Sequence, residues 1–218
     1  MSDGWEALAR EDPLWAIDPT LSGYDVEAFR ATGAALVEQV LAWAAPLPAH
    51  DRALEIGFGV GRNLVHLAER FTRVDGVDAS PTMVALAREH GVPDNAHLRA
   101  TNGRDLAPFE DAAFDLVFSN LVLQHIEDEA VVATYLRETA RVLKPAGAAV
   151  LQFDTRRLSL GAQALRRLPD PLLPADRRSA MRRHPRTPEW IRTTAPLDVD
   201  AEHGSPENRW FVLRKPAA

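Results

Sequence analysis

Gly57, Gly59 and Gly61 stand at alternate positions in Glu55-Ile56-Gly57-Phe58-Gly59-Val60-Gly61-Arg62-Asn63, just after the apolar pair Ala53-Leu54. Glycine carries no Cβ, so such a loop lets a ligand lie against the backbone and admits the positive φ of a tight turn. A helix starting near Gly61, with Leu64, Leu67, Ala68 and Phe71 on one face, would turn free N–H groups toward a carboxylate or phosphate. The other reading is a strand-to-helix turn that holds nothing. A dinucleotide fingerprint asks for Gly-x-Gly-x-x-Gly, and position 62 is Arg, which disfavours it. Asp78 closes the next β-rich run, Arg73-Val74-Asp75-Gly76-Val77-Asp78. In a βαβ unit the second strand end lies beside the first, and a carboxylate there can accept from both ribose hydroxyls of an adenosine-containing ligand. A strand-end Asp can also be a helix cap, but Ser80-Pro81 already offers an N-cap and an N1 proline. His125 is the third group with chemistry. Its ordinary pKa of about 6.5 suits proton removal near neutrality; orienting the loop it stands in is the other role open to it. His184 and Tyr24 are weaker candidates.

Those residues need elements to hold them. Residues 1–24 carry Trp5, Trp15 and Tyr24 among Pro and Asp, too aromatic for a disordered tail. Asp25 is placed to cap a helix running to about Ala45, with Phe29, Leu36, Val40 and Leu41 as its apolar face and Pro46 and Pro48 ending it. Strands are expected at 53–56, 73–78, 97–100, 113–120 and 148–153, with helices over about 80–90 and 128–143. Residues 155–185, broken by Pro169, Pro171 and Pro174, read as an insertion. Thr187-Pro188-Glu189 opens a short helix. Leu197-Asp198-Val199 and the β-rich run Arg209–Leu213 are the last strands.

Four blocks in this order carry a resemblance. The stretch from Glu55 to Gly61 resembles motif I of the class I S-adenosylmethionine (SAM) methyltransferases, and that from Phe114 to His125 resembles motif IV. Asp78 and the turn Leu143-Lys144-Pro145-Ala146-Gly147 complete the match over residues 53–154. The resemblance implies an α/β, Rossmann-like, doubly wound sheet of seven mostly parallel strands, its antiparallel last strand inserted beside the sixth. It implies a SAM-dependent, metal-independent methyltransferase that acts on an O or N atom of a small molecule and releases S-adenosylhomocysteine. It sets Glu55, Gly57, Phe58, Gly59 and Gly61 under the methionine and ribose of SAM. Arg62 then pairs with the methionine carboxylate or, on the other reading, sits in a surface ion pair. Asp78 holds the ribose, Ala79, Ser80 and Met83 flank the adenine, and Asn120 and Leu121 lie beside the methionine, with Gln124 and His125 facing the pocket. Many family members place an acid on the adenine amino group after the third strand. Here Asn102 stands in that place, leaving its side-chain oxygen and the backbone of Gly103 and Arg104 to read the ring. The alternative is a SAM-fold protein that regulates or binds a partner without catalysis.

The chain reads as one domain over residues 1–218. An N-terminal arm and helix cover the site (1–48), a SAM-binding core follows (49–154), then an insertion (155–192) and the closing strands (193–218). The insertion is either a substrate lid or an amphipathic packing segment. Cysteine is absent, which excludes disulfides, thiolate catalysis and Cys-ligated zinc. No acid or His cluster shows metal-ligand spacing. No run of about 18 apolar residues and no basic-then-apolar start appear, so a cytoplasmic protein with no membrane partner is expected. The formal net charge of −6 disfavours nucleic acid, as does Ser119-Asn120-Leu121-Val122 where base-amino methyltransferases carry an Asn-Pro-Pro-Tyr type of sequence. Residues 156–192 nevertheless hold ten arginines against Asp170, Asp176 and Glu189. They form either solvated helix faces or an electropositive rim for an anionic substrate or partner. Monomer and homodimer stay equally open.

Overall fold

The computed structural model describes residues 2–17, 25–159, 161–162 and 181–217. Tyr24 and most of the arginine-rich insertion lie outside these residues. The described elements run α1 (Ser2–Glu11), α2 (Pro13–Ile17), α3 (Val26–Ala31), α4 (Gly33–Ala44), β1 (Arg52–Ile56), α5 (Leu64–Ala68), β2 (Arg73–Asp78), α6 (Pro81–Glu89), β3 (Ala96–Ala100), β4 (Phe114–Ser119), α7 (Glu129–Val142), β5 (Leu143–Phe153), α8 (Pro188–Thr194), β6 (Asp198–Ser205) and β7 (Asn208–Arg214). The seven strands form one sheet in the order β3-β2-β1-β4-β5-β7-β6. Neighbours from β3 to β5 pair in parallel, and β7 lies antiparallel between β5 and β6. This is the expected doubly wound sheet. The chain goes from β1 to β2 on one side and from β3 across to β4 on the other. A crevice therefore opens above the C-terminal ends of β1 and β4, where ligands of such sheets bind.

Alternation along the central strands separates two apolar faces. Leu54, Ile56, Val117, Ala149 and Leu151 pack toward α7 and α8. Ala53, Leu116, Phe118, Ala148 and Val150 pack toward α4, α5 and α6. Parallel strands covered on both faces read as near-continuous apolar runs, as β4 does. Each large side chain buried this way contributes about 1.5–3 kcal/mol. Asp115 breaks the apolar run of β4 and is wholly buried. Its Oδ2 accepts from the N–H groups of Asp51 and Arg52 at the start of β1, and Lys144 Nζ donates to it at 3.0 Å. Two of the most recognisable motif residues thus tie strand starts together, at the opposite end of the sheet from the crevice.

Three expectations change. The single helix over 25–45 is two, α3 and α4. The chain turns at Thr32, whose hydroxyl and N–H both donate to the Phe29 carbonyl. Strand β5 begins at Leu143 rather than Ala148, because Leu143 pairs with Phe114 before the register shifts at Leu116. The helix after the glycine loop begins at Leu64, not near Gly61, since residues 58–63 are spent in turns. The caps at Asp25, Ser80, Asp128 and Thr187 each accept the expected backbone N–H.

Candidate functional site

The glycine loop leaves β1 with Gly57 at φ 74° and Gly59 at φ 57°. A Cβ on Gly57 would meet Val122 Cγ2 at 2.2 Å, and one on Gly59 would meet Ile17 Cδ1 at 2.6 Å. The loop is therefore bare because other chain segments press on it. Its N–H groups are engaged: Gly57 donates to the Val77 carbonyl, Gly59 to Asp78 Oδ2 and Gly61 to the Phe58 carbonyl. The expected helix N-terminus aimed at an anion is not formed, since α5 starts beyond these residues and the loop closes on itself.

Asp78 ends β2 beside the loop. Its Oδ2 accepts from the Gly59 N–H at 2.9 Å and its Oδ1 from the Ser80 N–H at 2.9 Å. Burial pushes its pKa up, while these N–H groups and that of Ala79 pull the other way. Each oxygen keeps a further lone pair for a ligand hydroxyl. Beneath the loop, Glu55 is 1% exposed and its Oε1 accepts from Asn63 Nδ2 at 3.0 Å. Burial raises its pKa to about 8, opposed by Asn63 and the Arg62 charge.

Asn120, Leu121 and Val122 form the opposite wall. Leu121 sits at φ 59°, a left-handed conformation rare for a side chain of this kind. Gln152, from the end of β5, holds it there: its Oε1 accepts from the Leu121 N–H at 2.8 Å while its Nε2 donates to Asn208 Oδ1. Backbone held in such regions clusters at functional sites.

Helices α1 and α2 form a roof. Trp5, Ala16 and Ile17 reach into the crevice. Glu6 anchors them to the start of α6, accepting from Ser80 Oγ at 2.6 Å, Thr82 Oγ1 at 2.6 Å and the Thr82 N–H at 3.3 Å. The Ser80 and Thr82 bonds hold the Glu6 pKa down at about 2. Trp5 meets the His125 ring edge-on, with centroids 5.1 Å apart. His125 Nδ1 lies 3.3 Å from the Arg182 carbonyl, to which it donates as the Nδ1–H tautomer, and Nε2 lies 3.3 Å from Gln124 Nε2. Burial first, then the Arg183 charge, lower its pKa to about 4, so the ring is neutral near pH 7. The backbone pairs His184 N–H to the Gln124 carbonyl as well.

Together these parts line one crevice, open to solvent on one side. Residues 54–151 match the family model described as a methyltransferase domain. Over those residues, a little under half of its length, the chain is similar to methyltransferase domains. It is similar to a ubiquinone biosynthesis O-methyltransferase of Xanthomonas oryzae, 28% identical over 145 residues, 66% of this chain and 52% of that protein. It is also similar to a norajmaline N-methyltransferase of Rauvolfia serpentina, 28% identical over 147 residues, 63% of this chain and 49% of that protein. The chain thus spans about half the length of these relatives. A SAM-dependent methyltransferase structure from Methanosarcina mazei shares the fold, with a TM-score of 0.62 at 20% identity over 78% of this chain and 95% of that one.

The cofactor of such a domain is SAM, and the crevice suits it. Gly57 and Gly59 let Val122 and Ile17 close on the loop at the crevice wall, and Asp78 keeps acceptor capacity beside them. Of the residues expected to bind it, Gly57, Gly59, Asp78, Ala79, Ser80, Met83, Gly103, Asn120 and Leu121 line the crevice. The others stand away from it. Phe58 turns into the core beside Leu64 and Val74. Glu55 lies beneath the loop, and the Gly61 N–H closes a turn of it. Arg62 is 8% exposed, with its guanidinium 5.3 Å from the Phe29 ring centre and its charge acting on Glu55. Asn102 and Arg104 are exposed. Asn102 Oδ1 accepts from the Arg104 N–H at 2.8 Å and its Nδ2 donates to Asp105. Gln124 and His125 pack behind Trp5.

Other lining residues escaped the sequence reading. Ile17, Thr101, Val122, Ile126 and Tyr135 line the crevice, and Gln152, Glu6 and Arg30 hold its parts. Arg30 is 8% exposed; its Nε donates to the Val60 carbonyl and its Nη atoms to the carbonyls of Ala87, His90 and Gly91, clamping the glycine loop to the end of α6. An arginine inside a short helix gives no sign of this in one dimension. Arg186, read as part of a solvated face or rim, is buried and donates to the carbonyls of Ile126, Glu127 and His184. Arg156 and Arg192 pair with Asp154 and Glu202. Among the described residues no cluster of three or more His, Asp or Glu is placed to hold a metal, and no helix is long and apolar enough to cross a membrane.

Proposed function

We propose that the protein is a metal-independent methyltransferase that moves the methyl group of SAM to an O or N atom of a small molecule. One observation carries this reading. The bare glycine loop, the strand-end acid Asp78 and the strained Asn120–Val122 wall meet in one crevice at the sheet's switch point. Bound SAM supplies a methyl group activated by its sulfonium. The chain's part is alignment: Asp78 holds the ribose, Ala79 and Met83 bracket the adenine, and Asn120–Leu121 orient the methionine end. Trp5, Ala16 and Ile17 exclude water from above. In-line displacement gains most from such positioning. His125 acts here as an orienting residue. It is neutral, both ring nitrogens are within hydrogen-bond distance of protein groups, and Trp5 covers its edge. The names of the O- and N-methylating relatives support a small-molecule acceptor, and the apolar roof suits one with a substantial apolar body. The composition supports a cytoplasmic setting.

Calorimetric titration with SAM, S-adenosylhomocysteine and NAD tests the cofactor, and methyl transfer to an acceptor panel, read by mass, tests the activity. Micromolar binding of the first two and none of NAD is expected. SAM binding without transfer across O- and N-acceptors would favour the non-catalytic reading. Binding of NAD alone would overturn both.

A further inference from the structure

One polar side chain on the crevice has no work yet. Tyr135, midway along α7, is 4% exposed, and its hydroxyl finds no hydrogen-bond partner among the described residues. The hydroxyl is not among the fully enclosed polar atoms, so the small exposed part of the residue leaves it open to a ligand. Tyr135 lines the same crevice as Ala79 and Met83, which follow β2, and Thr101 and Gly103, which follow β3. The charges of Asp105 and Asp78 act on it, after burial, to raise its pKa. It therefore stays a neutral phenol, able to accept as well as donate.

The residue expected to read the adenine amino group is committed elsewhere. Asn102 is exposed, its oxygen taken by the Arg104 N–H and its amide by Asp105. That turn is local and complete without a ligand, so turning Asn102 inward would break both bonds. With the ribose on Asp78, the adenine runs along the crevice toward the loop after β3. The charges of Asp78 and of Asp105, which follows β3, both reach Tyr135, so its hydroxyl borders the stretch of crevice that the 6-amino edge would enter.

We propose that the Tyr135 hydroxyl, in place of the Asn102 amide, accepts the hydrogen bond from the 6-amino group of adenine and so selects an adenosine cofactor. This rests on the crevice being the SAM site.

The test measures S-adenosylhomocysteine and its 6-deamino analogue binding to the full chain by calorimetry. Wild type is expected to prefer the parent ligand by about fivefold to tenfold, the span of one hydrogen bond. Tyr135→Phe keeps the ring and its packing. It is expected to weaken the parent ligand by about the same factor and to leave the analogue's affinity unchanged, erasing the preference. Asn102→Ala is expected to keep the wild-type preference. Equal wild-type affinity for the two ligands overturns the assignment without any variant. So does a Tyr135→Phe loss of equal size for both, or a preference that vanishes in Asn102→Ala and persists in Tyr135→Phe. If wild type binds neither ligand, the cofactor reading itself falls.

Discussion

The strand-end wall of the crevice and the helical roof over it are held in different ways. The wall is tied through the main chain. Gly57 donates to Val77, Gly59 to the Asp78 carboxylate and Leu121 to Gln152. Its positions follow from the sheet register that sets Ile56 beside Val77 and Ser119. The roof rests on apolar contacts of Trp5, Leu8, Ala9, Leu14, Ala16 and Ile17 with Phe29, Val60 and Met83. Among the described residues, Glu6 carries its hydrogen bonds to the core. The wall is held by the register of the sheet, whereas the roof is held by one carboxylate's bonds and an apolar patch. A ligand that must enter and depart needs both kinds of attachment.

Breaking the wall is expected to have the largest effect. Gly57→Ala places a methyl 2.2 Å from Val122 Cγ2 at a φ of 74°, and Val122 is too stiff at χ1 to yield. Calorimetry is expected to show at least a hundredfold loss of S-adenosylhomocysteine affinity. Wild-type affinity in this variant would mean the wall is softer than its bonding suggests.

Beneath the wall, Glu55 sharpens the comparison through pH. Its folded pKa of about 8 lies above the ordinary 4.5, so the folded state retains a proton the unfolded chain gives up. The resulting stability is fully present below about pH 4.5 and is lost as pH rises toward 8. Glu55→Gln keeps the shape and an acceptor for Asn63 but cannot ionise. Relative to wild type its stability is expected to rise by about 1.4 kcal/mol per pH unit across that window. Urea unfolding at pH 5 and pH 7.5 checks this, and parallel pH profiles would show that Glu55 is ionised in the fold.

The roof is expected to respond in ligand release rate as well as in stability. Glu6 stays charged over the working range, because its folded pKa of about 2 lies below the ordinary 4.5; its contribution is present above 4.5 and lost as pH falls through 2. Glu6→Ala is expected to speed S-adenosylhomocysteine release by about tenfold in stopped-flow fluorescence, with a fall in the unfolding midpoint that is present at pH 7 and shrinks as pH drops toward 2. An unchanged release rate accompanied by a large fall in that midpoint would make the roof part of the core.

Local motifs were legible where one segment supplies both the constraint and the response. The caps at Asp25, Ser80 and Thr187, the strand-end Asp78 and the order of the strands all belong to this class. Periodicity found the core of β4, because a strand buried on both faces shows as a continuous apolar run. Legibility ended where a side chain answers a distant one. The resemblance places Asn102 where family members carry an acid on the adenine, yet an exposed turn uses both ends of its amide. The arginines of residues 156–192 read as surface charge, while Arg186 is buried because backbone carbonyls of a separate loop converge on its guanidinium.

By itself, then, the sequence determined the sheet, its switch point, and the glycine loop with an acid beside it. Those depend on backbone chemistry and on spacing within single βα units. Only the tertiary structure decided which polar groups remain free to meet a ligand. A hydrogen-bonding group is used up by whatever comes nearest in space. Phe29, Val60 and Met83 bring the roof down onto Gly59, Gln152 takes the Leu121 N–H, and Tyr135 is left facing the crevice.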